Sequence, residues 1–213
     1  MVAAPITIPI CTITLSPGSH LLIDNISWEQ YEALLEELGA HRRVPRINYY
    51  GNILELMAPL PLHERPHRMI GYIVTALLDA QERAWEDFGS TTFKKPKQAG
   101  LEPDTCFYIQ NSARMRDRQR LDMAVDPPPD LAIESDVTSK TTLDAYLAIG
   151  VPEIWIYDNA KLSIYVLQTD GYIKSPNSPT FPGLPIVDMI PRLIQQAFAQ
   201  GTSQMLRQLR RQP

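Results

Sequence analysis

The chain has 213 residues, 44% of them hydrophobic and 21% charged, which fits one globular domain with a sizeable core and excludes a disordered polymer. A net charge of −4 excludes a coat protein held on nucleic acid by bulk positive charge, but leaves room for local basic patches. Two isolated cysteines, Cys11 and Cys106, exclude a disulfide framework and a thiolate metal site, and suit a reducing cytoplasm.

No stretch reaches the ~18 unbroken apolar residues of a membrane helix, so no membrane association is expected. The opening MVAAPITIPICTITL is apolar but proline-interrupted and lacks a basic leader, and it reads as an extended arm over residues 1–25 rather than a signal peptide. A helix is expected from Ser27 to Leu38, with Ser27 and Gln30 as a capping box, Tyr31, Leu34, Leu35 and Leu38 as its apolar face, and Gly39 as its stop. RINYY and ILELM around Gly51-Asn52 read as a hairpin whose second strand carries Glu55.

Pro66 is expected to open the longest helix, running to Phe88 on the spacing of Ile70, Ile73, Val74, Leu77, Leu78, Trp85 and Phe88 and ending at Gly89. STTFKK reads as a short strand, and LEPDTCFYI as another with Asp104 near its start. RMRDRQR is a charged loop closed by PPPD, and LAIESD is an apolar-led strand of the kind buried in a sheet centre. Thr138 or Ser139 is placed to cap a short helix ending at Gly150, after which PEIWIYD, DNAK and LSIYVLQ form a hairpin. A proline-rich stretch then leads to a terminal helix. The whole reads as a single α/β domain over 1–213, with a mixed sheet flanked by helices, a core over 45–170 and a C-terminal helix over 186–211.

Three carboxylates interrupt apolar strands: Glu55 in ILELM, Asp104 in LEPDTCFYI and Glu134 in LAIESD. Carboxylates are rarely buried without a partner or a metal. For any one of them a solvated strand end is the ordinary explanation. Three on separate strands point instead to an oxygen-ligand site for a divalent cation such as Mg2+ or Mn2+, which binds through few carboxylates and keeps several waters. Such an ion lowers the pKa of an attacking water and offsets charge on a phosphoryl oxygen.

Asp104 follows Pro103, and Glu134 stands thirty positions further on (134 − 104) in a later strand. This resembles the PD-(D/E)xK nuclease signature. The strings GNILELMAPLPLHE, GSTTFKK, GLEPDTCFYIQN, DPPPDLAIESDVTS and YLAIGVPEIWIYD, in that order, resemble more narrowly the Uma-two family of bacterial restriction endonucleases. The resemblance implies a restriction-endonuclease-like core, DNA as partner, metal binding by Asp104 and Glu134, and Glu55 beside them. By analogy with nucleases of this fold it also implies a homodimer.

One departure stands out. The signature has a lysine two residues after its Glu, where this chain has Asp136. Strand alternation puts Asp136 on the side of Glu134, where it is a candidate further ligand. Lys140, at the start of the next helix, and Lys94 or Lys95, in STTFKK, are the candidate replacements for the ammonium.

The string His63-Glu64-Arg65-Pro66-His67 matches the H-E-x-x-H of zinc peptidases, whose chemistry needs both histidines on one continuous helix. Pro66 is expected to begin the helix instead, leaving both histidines solvated, with a place lining the nuclease site, close after the Glu55 strand, as the alternative for either. Arg114, Arg116, Arg118 and Arg120 form one basic patch, Lys94, Lys95 and Lys97 a second, and Arg207, Arg210 and Arg211 a third. An ordinary charged surface explains them as readily as phosphate contacts do. Trp28, Trp85 and Trp155 read as core. The expected function is a Mg-dependent DNA endonuclease, against a non-catalytic nucleic-acid-binding scaffold that lost its lysine and, weaker, a zinc peptidase.

Overall fold

A computed structural model describes residues 12–39, 45–58, 61–135 and 140–211, the side chains of 61–64 and 140–142 excepted. Its first half runs β1 (His20–Ile23), α1 (Trp28–Leu38), β2 (Arg46–Tyr50), β3 (Ile53–Met57), α2 (Pro61–Ala80), β4 (Glu86–Asp87), β5 (Phe93–Lys95), β6 (Ala99–Leu101) and β7 (Thr105–Tyr108). The second half runs α3 (Ser112–Met115), β8 (Leu131–Ser135), α4 (Lys140–Ile149), β9 (Glu153–Asp158), β10 (Lys161–Gln168), β11 (Gly171–Ser175), α5 (Ile186–Gln200) and α6 (Thr202–Leu209).

Two sheets result, in the order β1-β3-β2-β6-β5 and β11-β10-β9-β8-β7-β4. The second is mixed: β8 and β9 run parallel, with α4 as the connection that returns the chain to the same end, while their other neighbours are antiparallel. The fold is therefore α/β with a mixed sheet flanked by helices. Both faces of the central strands are buried, and alternation sorts them. Phe107, Leu131, Ile133 and Trp155 pack with α2, α5 and α6, whereas Cys106, Tyr108, Ala132 and Ile154 face Ala145 and Tyr146 of α4.

Local chemistry explains the elements that match expectation. Ser27 caps α1 reciprocally with Gln30. Gly51 and Asn52 both take left-handed φ, 57° and 64°, the turn that joins β2 to β3 without splaying them. The expected extended arm ends in β1, which pairs antiparallel with β3, and Cys11 lies outside the described residues.

Four boundaries differ. The long helix begins at Pro61 rather than Pro66, so Pro66 lies inside it. Pro61 is itself a helix opener, and Pro66, still near the start, costs one backbone bond rather than breaking a long interior. It also ends earlier, at Ala80. Glu82 takes a left-handed φ of 53°, with Glu82 N–H on the Asp79 carbonyl and Arg83 N–H on the Leu78 carbonyl, a Schellman stop built without glycine. Trp85 and Phe88 therefore leave the helix. LEPDTCFYI is not one strand: its Leu101 ends β6 and its Thr105–Tyr108 form β7 in the other sheet, with Glu102, Pro103 and Asp104 at the crossing. The C-terminal helix is two, broken at Gly201 with φ 92°. The strands β4 and β11 and the short α3 were not expected.

Sheet one packs on α1 through an aromatic cluster. Tyr31 stacks on Tyr49 at 5.0 Å between ring centroids, with Trp28 against both. Gly100 of β6 lies directly under it, and a Cβ there would overlap the fully buried Tyr31 phenol. Gly100→Ala is accordingly expected to destabilise the fold by about 1–3 kcal/mol through overpacking. Denaturant unfolding that finds the variant as stable as the parent would show that α1 is free to lift away.

Candidate active site

Asp104 and Glu134 come together because β7 and β8 pair antiparallel with Thr105 opposite Ile133. Extending that register by one pair sets Asp104 opposite Glu134, and the Asp104 N–H donates to Glu134 Oε2 at 3.3 Å. Both side chains are buried, at 6% and 5% exposure. By alternation Glu134 shares its face with Ala132, toward α4, and there the Tyr146 hydroxyl donates to Glu134 Oε1 at 2.5 Å. Asp104 Oδ2 accepts from the backbone N–H and the hydroxyl of Ser135, at 2.6 and 2.7 Å.

Arg46, at the start of β2 in the other sheet, forms an ion pair with Asp104 Oδ1. His67 is buried and sits beside a hydroxyl and a carboxylate: its Nδ1 is 3.3 Å from Ser135 Oγ and 3.6 Å from Asp104 Oδ2. The expectation of a solvated His67 is thus overturned. Because α2 runs unbroken from Pro61, the objection that Pro66 interrupts the H-E-x-x-H helix also falls. The His63 side chain lies outside the described residues, and His67 is engaged with Asp104 and Ser135.

Glu55 is buried on β3, where the Asn48 side-chain amide donates to its Oε2 at 3.3 Å. Asn48 Oδ1 in turn accepts from the Glu102 N–H, and Glu102 accepts from the Ile47 N–H and the Thr92 hydroxyl. This chain of bonds ties sheet one to the segment that delivers Asp104. Of the lysines, Lys94 lines the same cleft as Asp104 and pairs at its exposed end with Glu32 at 3.4 Å. Lys95 turns elsewhere, onto the Ala148 carbonyl. Asp136 and the Lys140 side chain lie outside the described residues.

Burial pushes the Glu134 carboxyl up to about 7, and the nearby Glu55 charge adds to it, while the Tyr146 hydroxyl and the Arg46 guanidinium pull the other way. The Tyr146 hydroxyl is driven well up by burial and by Glu134. Cys106 is fully buried with its thiol raised by desolvation, the environment of an inert core cysteine.

Asp104 opens into a cleft of about 1370 Å³. Arg46, Arg68, Lys94, Arg118 and Arg120 line it, against the carboxylates of Asp87, Glu102 and Asp104, so the cleft is positive in a protein of net charge −4. Of the three basic patches, the cleft recruits members of two. Trp28 and Trp155 are buried as expected, but Trp85 is only partly so and lines this cleft.

Among the described residues no three His, Cys, Asp or Glu side chains converge to hold one metal ion. Two carboxylates with oxygen-only donors still suit magnesium, which takes one or two protein carboxylates and completes its octahedron with water and substrate phosphate. Arg46 and His67 are the residues that sequence reasoning missed or misplaced. Arginine at a strand start, two positions from Asn48 and so on its face, was the available signal for the first. For His67 the available signal was its position soon after the Glu55 strand.

The site thus consists of a buried carboxylate pair at a strand end, with Asp104 opening on a basic cleft of a mixed α/β scaffold. The chain belongs to the Uma2 family, described as "Putative restriction endonuclease", whose profile matches residues 28–198. No curated protein matches the chain. It is similar to the crystal structure of "a putative nuclease belonging to DUF820" from Anabaena variabilis, at 16% identity and a TM-score of 0.49 over 85% of this chain and 99% of that one.

The raised Glu134 group makes stability pH-dependent. In the folded state it holds its proton up to about 7, whereas unfolded it releases it near 4.5, so folding stability falls as pH rises between those values and is level above them. In EDTA, the parent is expected to lose on the order of 3 kcal/mol relative to Glu134→Gln across that window. Unfolding curves with parallel pH dependence for the two proteins would show that Glu134 ionises in the fold as it does in water.

Proposed function

We propose that the protein is a metal-dependent endonuclease that hydrolyses DNA phosphodiester bonds. The observation that carries this reading is the Asp104–Glu134 pair, buried side by side yet opening through Asp104 onto a basic cleft. Asp104 and Glu134 would hold a Mg2+ or Mn2+ ion, with Glu55 and Asp136 as candidates to complete the shell. Such an ion, when bound, supplies a lowered pKa to the attacking water and a positive charge for the phosphoryl oxygens.

The chain's own groups do the rest. Ser135 and Arg46 fix the Asp104 carboxylate through three contacts, so its orientation is set before substrate arrives. Tyr146 holds Glu134 on the opposite oxygen. The Arg46 guanidinium and the Lys94 ammonium face the cleft and offset charge that builds on the phosphate. Lys94, with Lys140 as the other candidate, takes the part of the lysine that Asp136 replaces. A cytoplasmic location and a homodimeric state belong to the same reading.

The rival, a non-catalytic nucleic-acid-binding scaffold, is favoured by one observation: an arginine already neutralises Asp104, and the signature lysine is absent. Supercoiled plasmid decides between them. Nicking that requires Mg2+ or Mn2+ is expected, with Asp104→Ala lowering it about a hundredfold or more, the scale of several kcal/mol of lost charge stabilisation, and Lys94→Ala lowering it less. A well-folded parent protein that leaves both supercoiled plasmid and single-stranded circular DNA intact at low salt with either metal would discard the hydrolytic reading.

A further inference from the structure

The cleft at Asp104 is larger than the carboxylate pair needs. At about 1370 Å³ it exceeds the ~300–1,000 Å³ of small-molecule pockets, which suits a segment of a polymer. One wall is α2. Its core face is spent on Ile70, Ile73, Val74 and Leu77, which are buried. A different face presents Arg68, Tyr72 and Thr75 to the cleft, at the i, i+4, i+7 spacing that aligns them along the helix.

Tyr72 is 49% exposed, so its ring adds little to the core. The Thr75 hydroxyl is occupied with the Tyr72 carbonyl, which leaves the ring and the Arg68 guanidinium as the features offered to a ligand. The ion pairs among the described residues engage neither Arg68 nor Arg120. Four helical residues span about 6 Å, a separation at which a phosphate held by Arg68 leaves its own base within reach of Tyr72.

We propose that this cleft takes an unpaired, single-stranded segment of nucleic acid, with a base stacked on Tyr72 and a neighbouring phosphate on Arg68. The proposal rests on the nucleic-acid-directed reading above and adds the form of the substrate. A paired duplex keeps its base faces stacked inside and gives an exposed tyrosine nothing to cover, whereas every unpaired base presents a face. Arginines along the same groove, Arg118 and Arg120, track the backbone without reading sequence.

The test is fluorescence anisotropy in EDTA, where nothing is cut, with labelled oligothymidylate and a hairpin duplex of matched length. Single strand is expected to bind more tightly than duplex. Tyr72→Ala should weaken single-strand binding about tenfold and leave duplex binding unchanged, with Tyr72→Phe restoring it, because stacking needs the ring and not the hydroxyl. Arg68→Ala should lower the salt dependence by about one phosphate contact. Tighter duplex binding, or a Tyr72→Ala protein that binds single strand as the parent does, overturns the proposal and leaves the nuclease reading standing. Binding of neither probe overturns both.

Discussion

The structure depends on keeping two carboxylates out of water at one strand end. Removing an ionised carboxylate from solvent costs on the order of several kcal/mol even after relaxation. The chain meets that cost differently for each. Asp104 is matched by a full positive charge from Arg46 and by two donors from Ser135. Glu134 accepts from neutral donors, the Tyr146 hydroxyl and a backbone N–H, and burial raises its affinity for a proton. Two acids side by side are thus held by different donors, a full charge for one and hydroxyl and amide groups for the other.

That arrangement requires the two sheets to be held in register with each other. The crossing at Glu102, Pro103 and Asp104 is where the chain leaves β6 for β7, and both flanking acids face inward. Glu102 bonds back to sheet one through Ile47 and Thr92, and Asp104 bonds forward to sheet two through Ser135. Pro103, with no N–H to satisfy and a fixed φ, suits the buried bend between them. The same crossing is what lets Arg46, a residue of sheet one, reach a carboxylate at the edge of sheet two.

Local rules made part of this legible in the sequence. The Ser27 capping box, the Gly51-Asn52 turn and the burial of Glu55, Asp104 and Glu134 each follow from residues within a few positions of one another. Failures came where the deciding partner is distant or unusual. Glu82 ends α2 in a left-handed conformation usually left to glycine, so the apolar spacing ran on to Phe88. Nothing local in LEPDTCFYI shows that Leu101 closes a strand of one sheet and Thr105 opens a strand of the other. His67 carries no mark in the sequence of the Ser135 and Asp104 that enclose it, sixty-eight and thirty-seven residues away (135 − 67 and 104 − 67).

Arg46 also changes what the missing lysine means. A lysine two residues after Glu134 would project from the same strand onto the same face, supplying both a charge and an ammonium able to give up a proton. Arg46 supplies charge at Asp104 from another sheet, but a guanidinium stays protonated and has no capacity to act as a base. Charge and proton acceptance, which one lysine can combine, are therefore separable, and in this chain the sheet-to-sheet contact places a fixed positive charge at Asp104. In the proposed hydrolysis, a bound metal ion would acidify the attacking water and its proton would pass to a basic group such as neutral His67 or a neutral lysine amine, while the charge at Asp104 is present throughout. A short motif records only one way of placing that charge.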